Sequence, residues 1–204
     1  MRQVLISFTL LAIFVSCNRG EQDVLPSTNS KDHTQTKKTS TPLFVGDSAY
    51  RYVLDQLQFG PRVPNSAAHD SCAEYLAKKL GSFGAEVIVQ KGEVTAYTNA
   101  VLNIQNIIGQ FYKERTKRIM LCAHWDTRHI ADRDKENPTG PIDGANDGAS
   151  GVGVLLEIAR HLESNDPGLG VDIVFFDAED YGSPQLSMGM TALSDMDNSW
   201  CLGS

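Results

Sequence analysis

Three acidic clusters contain the side chains of this chain that are most able to do chemistry. They are His124-Trp125-Asp126, the glycine-rich segment 144–151, and Asp177-Ala178-Glu179-Asp180. Carboxylates grouped this closely repel one another unless a positive charge lies among them. One imidazole with several carboxylates is the ligand chemistry of a catalytic zinc, which keeps one position open for water or substrate. A neighbouring carboxylate that does not bind the metal can then transfer protons.

The segments around these clusters predict that they lie at one edge of a sheet. Residues 119–123 and 171–176 are continuous apolar runs, typical of strands that are buried on both faces. A helical stripe of apolar residues lies between them, so the three segments predict a right-handed βαβ crossover. The first cluster directly follows the first strand, and the third cluster follows the second strand. This is the carboxyl edge, where open α/β sheets bind ligands.

The residues before this crossover predict two helices and two earlier strands. Apolar residues recur at helical spacing over 44–57, and a turn with two prolines follows at 59–66. Ser66 can cap the second helix. Strand-like segments lie at 85–89 and 103–111. We therefore predict an α/β fold with three layers, helix–sheet–helix, in which a mixed sheet has early antiparallel strands and a parallel centre.

The composition excludes several other classes of protein. The chain has 204 residues, enough for one domain or most of one, with 41% hydrophobic and 21% charged residues, as in ordinary globular proteins. Its 25 acidic and 18 basic residues give a net charge of −7, which argues against a nucleic-acid partner. Four cysteines are too few for a disulfide scaffold of this size.

The amino terminus has the pattern of a secretory signal. Arg2 precedes an apolar run over 4–15, which is too short to span a bilayer because a span needs roughly 20 residues. Cys17 follows in a context that resembles a bacterial lipoprotein cleavage box. We predict a signal peptide at 1–16, a lipidated Cys17 and a disordered polar tether at 17–43, which would anchor the protein in the bacterial cell envelope. The alternative is a plain signal peptide with an incidental cysteine.

The three clusters, with their flanking strands, resemble the zinc aminopeptidase and glutaminyl cyclase family. The resemblance rests on residues 121–126, 144–151 and 175–180, in that order and at strand ends. Residues 59–64 and the Trp125 inside the His-x-Asp pair are similar to the bacterial glutaminyl cyclases of animal type. The resemblance implies a zinc enzyme that converts the N-terminal glutamine of a peptide or protein to pyroglutamate and releases ammonia.

The resemblance also implies a role for each site residue. Asp147 and Asp180 match the two carboxylate ligands of zinc, although most members have glutamate at the second position. Glu179 matches the catalytic acid/base, and Asp126 matches the aspartate that supports it. His124 matches a ligand of the second zinc in the two-zinc aminopeptidases, whereas the one-zinc cyclases do not use that position as a ligand.

Three functions remain open from the residues. The first is a glutaminyl cyclase. The second is a zinc aminopeptidase with two metals, in which His124 is a ligand and Asp147 bridges. The third is a non-catalytic binding module that keeps the fold. The family domain is longer than residues 44–204, and its zinc-binding histidine falls beyond Ser204, so we expect an amino-terminal part of the domain with an incomplete site.

Overall fold

The computed structural model describes residues 41–183, which form three helices and four strands. The helices are α1 (Gly46–Leu57), α2 (Ala67–Ser82) and α3 (Ser150–Leu162). The strands are β1 (Glu86–Thr95), β2 (Val101–Phe111), β3 (Arg118–His124) and β4 (Gly170–Phe176). Every predicted element is present, and β1 continues to Thr95 beyond the predicted end. The signal peptide, Cys17 and almost all of the tether lie outside the described residues and stay predictions.

The four strands form a mixed sheet in the order β1-β2-β4-β3. β2 pairs antiparallel with both β1 and β4, whereas β3 and β4 are parallel. The mixed α/β class is therefore confirmed, with its antiparallel strands early and a parallel pair joined through α3. In the parallel pair His124 lies opposite Phe176. The loops that follow these two residues consequently start side by side at one edge.

The hydrophobic core lies between the sheet and the helices. α2 contributes Leu76 and Leu80, and α3 contributes Val152 and Leu156, all fully buried. They pack with fully buried residues of the sheet, including Ile107, Ile173 and Phe175. α2 comes close to β2 because Gly109 has no side chain, and a Cβ there would lie 3.0 Å from a methyl group of Leu80. The described residues thus supply the sheet and one helical layer.

β3 differs from the prediction that both apolar runs are buried on two faces. β4 meets that prediction, since Ile173 and Phe175 on one face are fully buried and Val174 on the other face is only 6% exposed. In β3, however, Ile119 is 45% exposed and Met120 is 61% exposed. The reason is position, because β4 is the only strand that pairs with β3 among residues 41–183.

Specific polar contacts fix the ends of the helices. Ser66 caps α2 as predicted, accepting a hydrogen bond from the backbone N–H of His69 at 3.1 Å. The backbone N–H of Val45, just before α1, donates to the buried carboxylate of Glu157 in α3 at 3.0 Å. Arg160 also donates to Glu157, and this bond holds the pKa of Glu157 below its ordinary value. None of the helices within residues 41–183 is long and apolar enough to cross a membrane.

Candidate metal and catalytic site

The loops that follow β3 and β4 are held together by Asp126. The backbone N–H of Trp125 donates to the carbonyl of Phe176 at 3.0 Å, which extends the pairing of the two strands by one residue. Asp126 is fully buried, and its two carboxylate oxygens accept the backbone N–H groups of Glu179 at 3.2 Å and Asp180 at 3.1 Å. The carboxylate therefore fixes the backbone of the acidic pair and leaves the side chains of that pair free to face elsewhere.

His124 lies among three of the predicted carboxylates. Its Nε2 is 2.8 Å from Oδ1 of Asp147, and its Nδ1 is 3.4 Å from Oδ1 of Asp126 and 3.9 Å from Oε2 of Glu179. Burial lowers the pKa of His124, but the hydrogen bonds and charges of these carboxylates outweigh it and raise the pKa to about 9. A protonated His124 thus supplies positive charge within the cluster.

Asp147 is brought to the site by the turn Ala145–Ala149, which leads directly into α3. The peptide bond between Asp147 and Gly148 is cis. Gly148 packs against the end of β3, where a Cβ would lie only 2.3 Å from the backbone carbonyl oxygen of His124. A side chain at position 148 would therefore push the turn away from β3, and the carboxylate of Asp147 would move with it.

Asp180 has the features of a carboxylate that is prepared for a cation. Its Oδ2 is buried without a hydrogen-bond partner, while its Oδ1 lies 3.7 Å from Nη1 of Arg128. Burial, with the charges of Asp147 and Asp126, raises the pKa of Asp180 to about 6, although His124 and Arg128 act in the opposite direction. A divalent cation near Asp180 would satisfy the unpaired oxygen and relieve the repulsion between these carboxylates.

These residues fit zinc in kind but form only part of a ligand set. Within residues 41–183, no three His, Cys, Asp or Glu side chains are already arranged to hold a metal ion. A catalytic zinc usually has three protein ligands and an open position. Asp147 and Asp180 would provide two oxygen ligands of such a set.

A buried aromatic layer supports the site from below. Trp125 is fully buried, and its indole N–H donates to the carbonyl of Gln105 at 3.2 Å. The ring of His69 stacks on Trp125 with centroids 4.5 Å apart, and its Nε2 lies 2.8 Å from Oδ2 of the buried Asp177. From the sequence we expect His69 only to face the surface or to pack. The structure shows a fully buried histidine that is paired with the first aspartate of the third cluster.

Two loop residues next to the site carry no signal in the sequence. Arg128 is held by Asp132 at 2.9 Å and donates to the backbone carbonyl of Asp180 at 3.2 Å. The ring of His129, for which the sequence indicates no role, stacks on Tyr181 with centroids 4.0 Å apart. These contacts join the loops after β3 and β4, and no local spacing or motif in the sequence predicts them.

Known proteins with a similar sequence and fold are zinc exopeptidases and glutaminyl cyclases. Residues 106–204 match the family described as Peptidase family M28. The glutaminyl cyclase of Tannerella forsythia is 54% identical, with a TM-score of 0.70 over 72% of this chain and 51% of its own. For a Zn-dependent exopeptidase from Parabacteroides distasonis, the identity is 51% and the TM-score 0.71, over 80% and 55% of the two chains. A leucine aminopeptidase precursor from Bacteroides thetaiotaomicron is 55% identical, with a TM-score of 0.70 over 74% of this chain and 52% of its own.

The fold and the carboxylates at the sheet edge define an α/β protein of the zinc-exopeptidase type. Residues 106–204 match the M28 peptidase family, and the chain is similar to bacterial glutaminyl cyclases and zinc exopeptidases, as its three motifs indicate. It spans about half the length of the three solved structures. These similarities support an enzyme and suggest zinc as its metal.

Proposed function

We propose that the full-length protein is a glutaminyl-peptide cyclotransferase, which converts the N-terminal glutamine of peptides or proteins to pyroglutamate and releases ammonia. The likeness to the Tannerella forsythia enzyme, at 54% identity, supports this choice. The activity, the substrates and the partners of the whole protein are part of the proposal.

The observation that carries the proposal is the placement of Glu179. Its backbone is held by Asp126, yet its side chain stays 53% exposed and lies 3.9 Å from Nδ1 of His124, whose Nε2 contacts Asp147. A carboxylate that is positioned by its backbone and open to solvent can receive a proton from a substrate and return it. Glu179 is therefore placed to act as the acid/base.

Asp147 and Asp180 are the residues that would hold zinc. When bound there, zinc would supply a Lewis acid that polarises the side-chain amide carbonyl of the substrate glutamine. The exposed carboxylate of Asp147 and the unpaired oxygen of Asp180 supply negative charge, which favours binding of the cation. Asp126 takes no direct part in this scheme, since both of its oxygens are engaged with the backbone of the acidic pair.

The reaction requires little more of the chain than positioning and proton transfer. The α-amine of the substrate attacks the amide carbon of its own side chain, so a five-membered lactam forms and the bond to the amide nitrogen breaks. Glu179 accepts a proton from the attacking amine and delivers it to the departing nitrogen, which leaves as ammonia. Because the attack is intramolecular, holding the substrate in the cyclising geometry provides much of the rate enhancement.

Assays on the full-length protein test this proposal. We expect release of ammonia from peptides that begin with glutamine, no hydrolysis of peptides that begin with leucine, and one zinc per chain by elemental analysis. A strong chelator should remove both the zinc and the activity, and added zinc should restore them. Hydrolysis of leucine peptides without ammonia release would contradict the proposal.

A zinc aminopeptidase is the second candidate. The Parabacteroides distasonis and Bacteroides thetaiotaomicron structures, described as a Zn-dependent exopeptidase and a leucine aminopeptidase precursor, favour it at similar identity. This function would need two metals, with Asp147 between them and His124 bound to the second. The hydrogen bond between these two residues would then have to be replaced by bonds to metal. Two zinc ions per chain, together with peptide hydrolysis, would support this candidate.

We also propose that the protein is anchored to the bacterial cell envelope by a lipid on Cys17. The apolar run before this cysteine and the polar segment after it support the proposal. Replacing Cys17 by serine should move the protein from the membrane fraction to the soluble fraction of the envelope and abolish labelling by a radioactive fatty acid. Unchanged labelling of the Cys17→Ser variant would refute the anchor, and Cys122→Ser, at a free and exposed cysteine, serves as the control.

A further inference from the structure

Arg62 is a fully buried arginine with no place in the acid/base or ligand sets. It lies in the proline-containing turn between α1 and α2. Its guanidinium donates through Nε to the carbonyl of Trp125 at 3.1 Å, through Nη1 to Asp143 at 2.7 Å and Gly60 at 3.5 Å, and through Nη2 to Gly144 at 3.0 Å. All of these acceptors are backbone carbonyls. Arg62 therefore recognises the path of the chain and not a particular side chain.

The contacts of Arg62 converge on the turn that carries Asp147. The carbonyl of Gly144 accepts from the guanidinium and also from the backbone N–H of Ala149 at 3.1 Å. These two bonds hold the start and the end of the turn around Asp147. Gly144 has a φ of +61°, and a Cβ there would lie 2.9 Å from Nη2 of Arg62. The turn therefore sits directly against the guanidinium, with no room for a side chain between them.

Arg62 also connects this turn to the loop after β3. Its Nε bond reaches the carbonyl of Trp125, between His124 and Asp126, and its own carbonyl accepts the backbone N–H of Thr127 at 3.2 Å. Burial lowers the pKa of Arg62, while the negative charges of Asp126 and Asp143 act against this. Since arginine keeps its proton in proteins, the site has a permanent cation beneath it.

We propose that Arg62 is a positioning residue that sets the Asp147 carboxylate against Asp180, so that the two can share one zinc ion. This inference rests on the zinc site of the proposed function and extends it to a residue without a role in the reaction. Geometry is central to it. The planar fork of arginine donates to carbonyls at both ends of the loop between β3 and the Asp147 turn, whereas the single ammonium of lysine cannot reproduce that arrangement.

The inference is tested by the zinc affinity of the full-length protein, which is measured by competition with a chromophoric chelator. Residues that orient metal ligands typically contribute about 10–100-fold to affinity. We expect Arg62→Lys and Arg62→Met both to bind zinc at least about 10-fold more weakly than the wild type. Wild-type affinity in Arg62→Lys would overturn the proposed role, because charge alone would then be sufficient.

Arg118 provides the matched control. It pairs with Asp172 and also donates to backbone carbonyls, those of Tyr112 at 2.8 Å and Phe111 at 3.2 Å, but at the opposite end of β3. Arg118→Lys should lower the thermal stability and leave zinc affinity unchanged. If it weakens zinc binding as much as Arg62→Lys does, the effect is a general loss of stability and the inference fails.

If the variants of Arg62 do not fold, a measurement on the wild type tests whether Arg62 is coupled to zinc binding. In protein labelled with ¹⁵N-arginine, the Nε–H resonance of Arg62 should shift when zinc is removed, and that of Arg118 should not. An Arg62 resonance that is unchanged by zinc removal would overturn the inference. A wild-type protein that binds no zinc at all would instead refute the proposed function, and the inference would fall with it.

Discussion

Replacing Glu179 by glutamine should abolish turnover while zinc stays bound. Glutamine keeps the size of the side chain but cannot take up a proton, and the backbone N–H that Asp126 holds is unaffected. General acid–base catalysis contributes roughly 10²–10⁴-fold to a rate, so ammonia release should fall by that factor. The measurements are initial rates on a glutamine peptide and zinc content per chain, both on the full-length protein.

Glu163 provides a suitable control, since it lies just after α3, is exposed, and is remote from the carboxyl edge of the sheet. Glu163→Gln should have the rate and zinc content of the wild type. Normal ammonia release by Glu179→Gln would refute the acid/base assignment. Loss of zinc in that variant would show that Glu179 is a ligand, which the assignment of Asp147 and Asp180 does not allow.

Replacing Gly148 by alanine should disrupt the site by a different route. The new Cβ would lie 2.3 Å from the carbonyl oxygen of His124 and 2.8 Å from its ring. The first of these atoms belongs to the backbone of β3 and cannot rotate away, so the turn that carries Asp147 has to move. Forcing extra atoms into a packed region typically lowers the free energy of unfolding by about 1–3 kcal/mol. For Gly148→Ala we expect a loss near the upper end of that range, together with loss of zinc.

Gly81→Ala is the matched control for this substitution. Gly81 lies in α2, where a Cβ would meet only a methyl group of Val87 at an ordinary 3.7 Å. Alanine favours a helix interior over glycine by about 1 kcal/mol, so this variant should be as stable as the wild type or slightly more stable. Thermal unfolding and zinc affinity would be measured for both variants. A Gly148→Ala protein with wild-type values for both would contradict the packing at the end of β3.

The elements of this fold could be predicted because each one has a local cause. Apolar runs mark β3 and β4, Ser66 marks the start of α2, and the acidic motifs follow strands directly. Once β3 and β4 are parallel neighbours, their following loops must meet. The meeting of His124, Asp126 and the acidic pair at one edge thus follows from strand order, and strand order follows from the βαβ pattern.

The supporting residues could not be predicted in the same way. Arg62 contacts carbonyls of residues that lie 63, 81 and 82 positions further along the chain, and carbonyls are common to every residue type. His69 meets Asp177 across 108 positions, on a helix where its neighbours in sequence give no indication of a partner. The exposure of β3 is likewise a matter of which strands lie beside it and not of its own composition.

The stacking of His69 on Trp125 has an optical consequence. An indole that is fully buried, bonded through its N–H and covered by an imidazole emits differently from one in water. Trp125 stands between His124 and Asp126, so its surroundings change when either residue moves. The fluorescence of this tryptophan is therefore an intrinsic reporter, located directly beneath the carboxylates, of whether the loops at the sheet edge are in place.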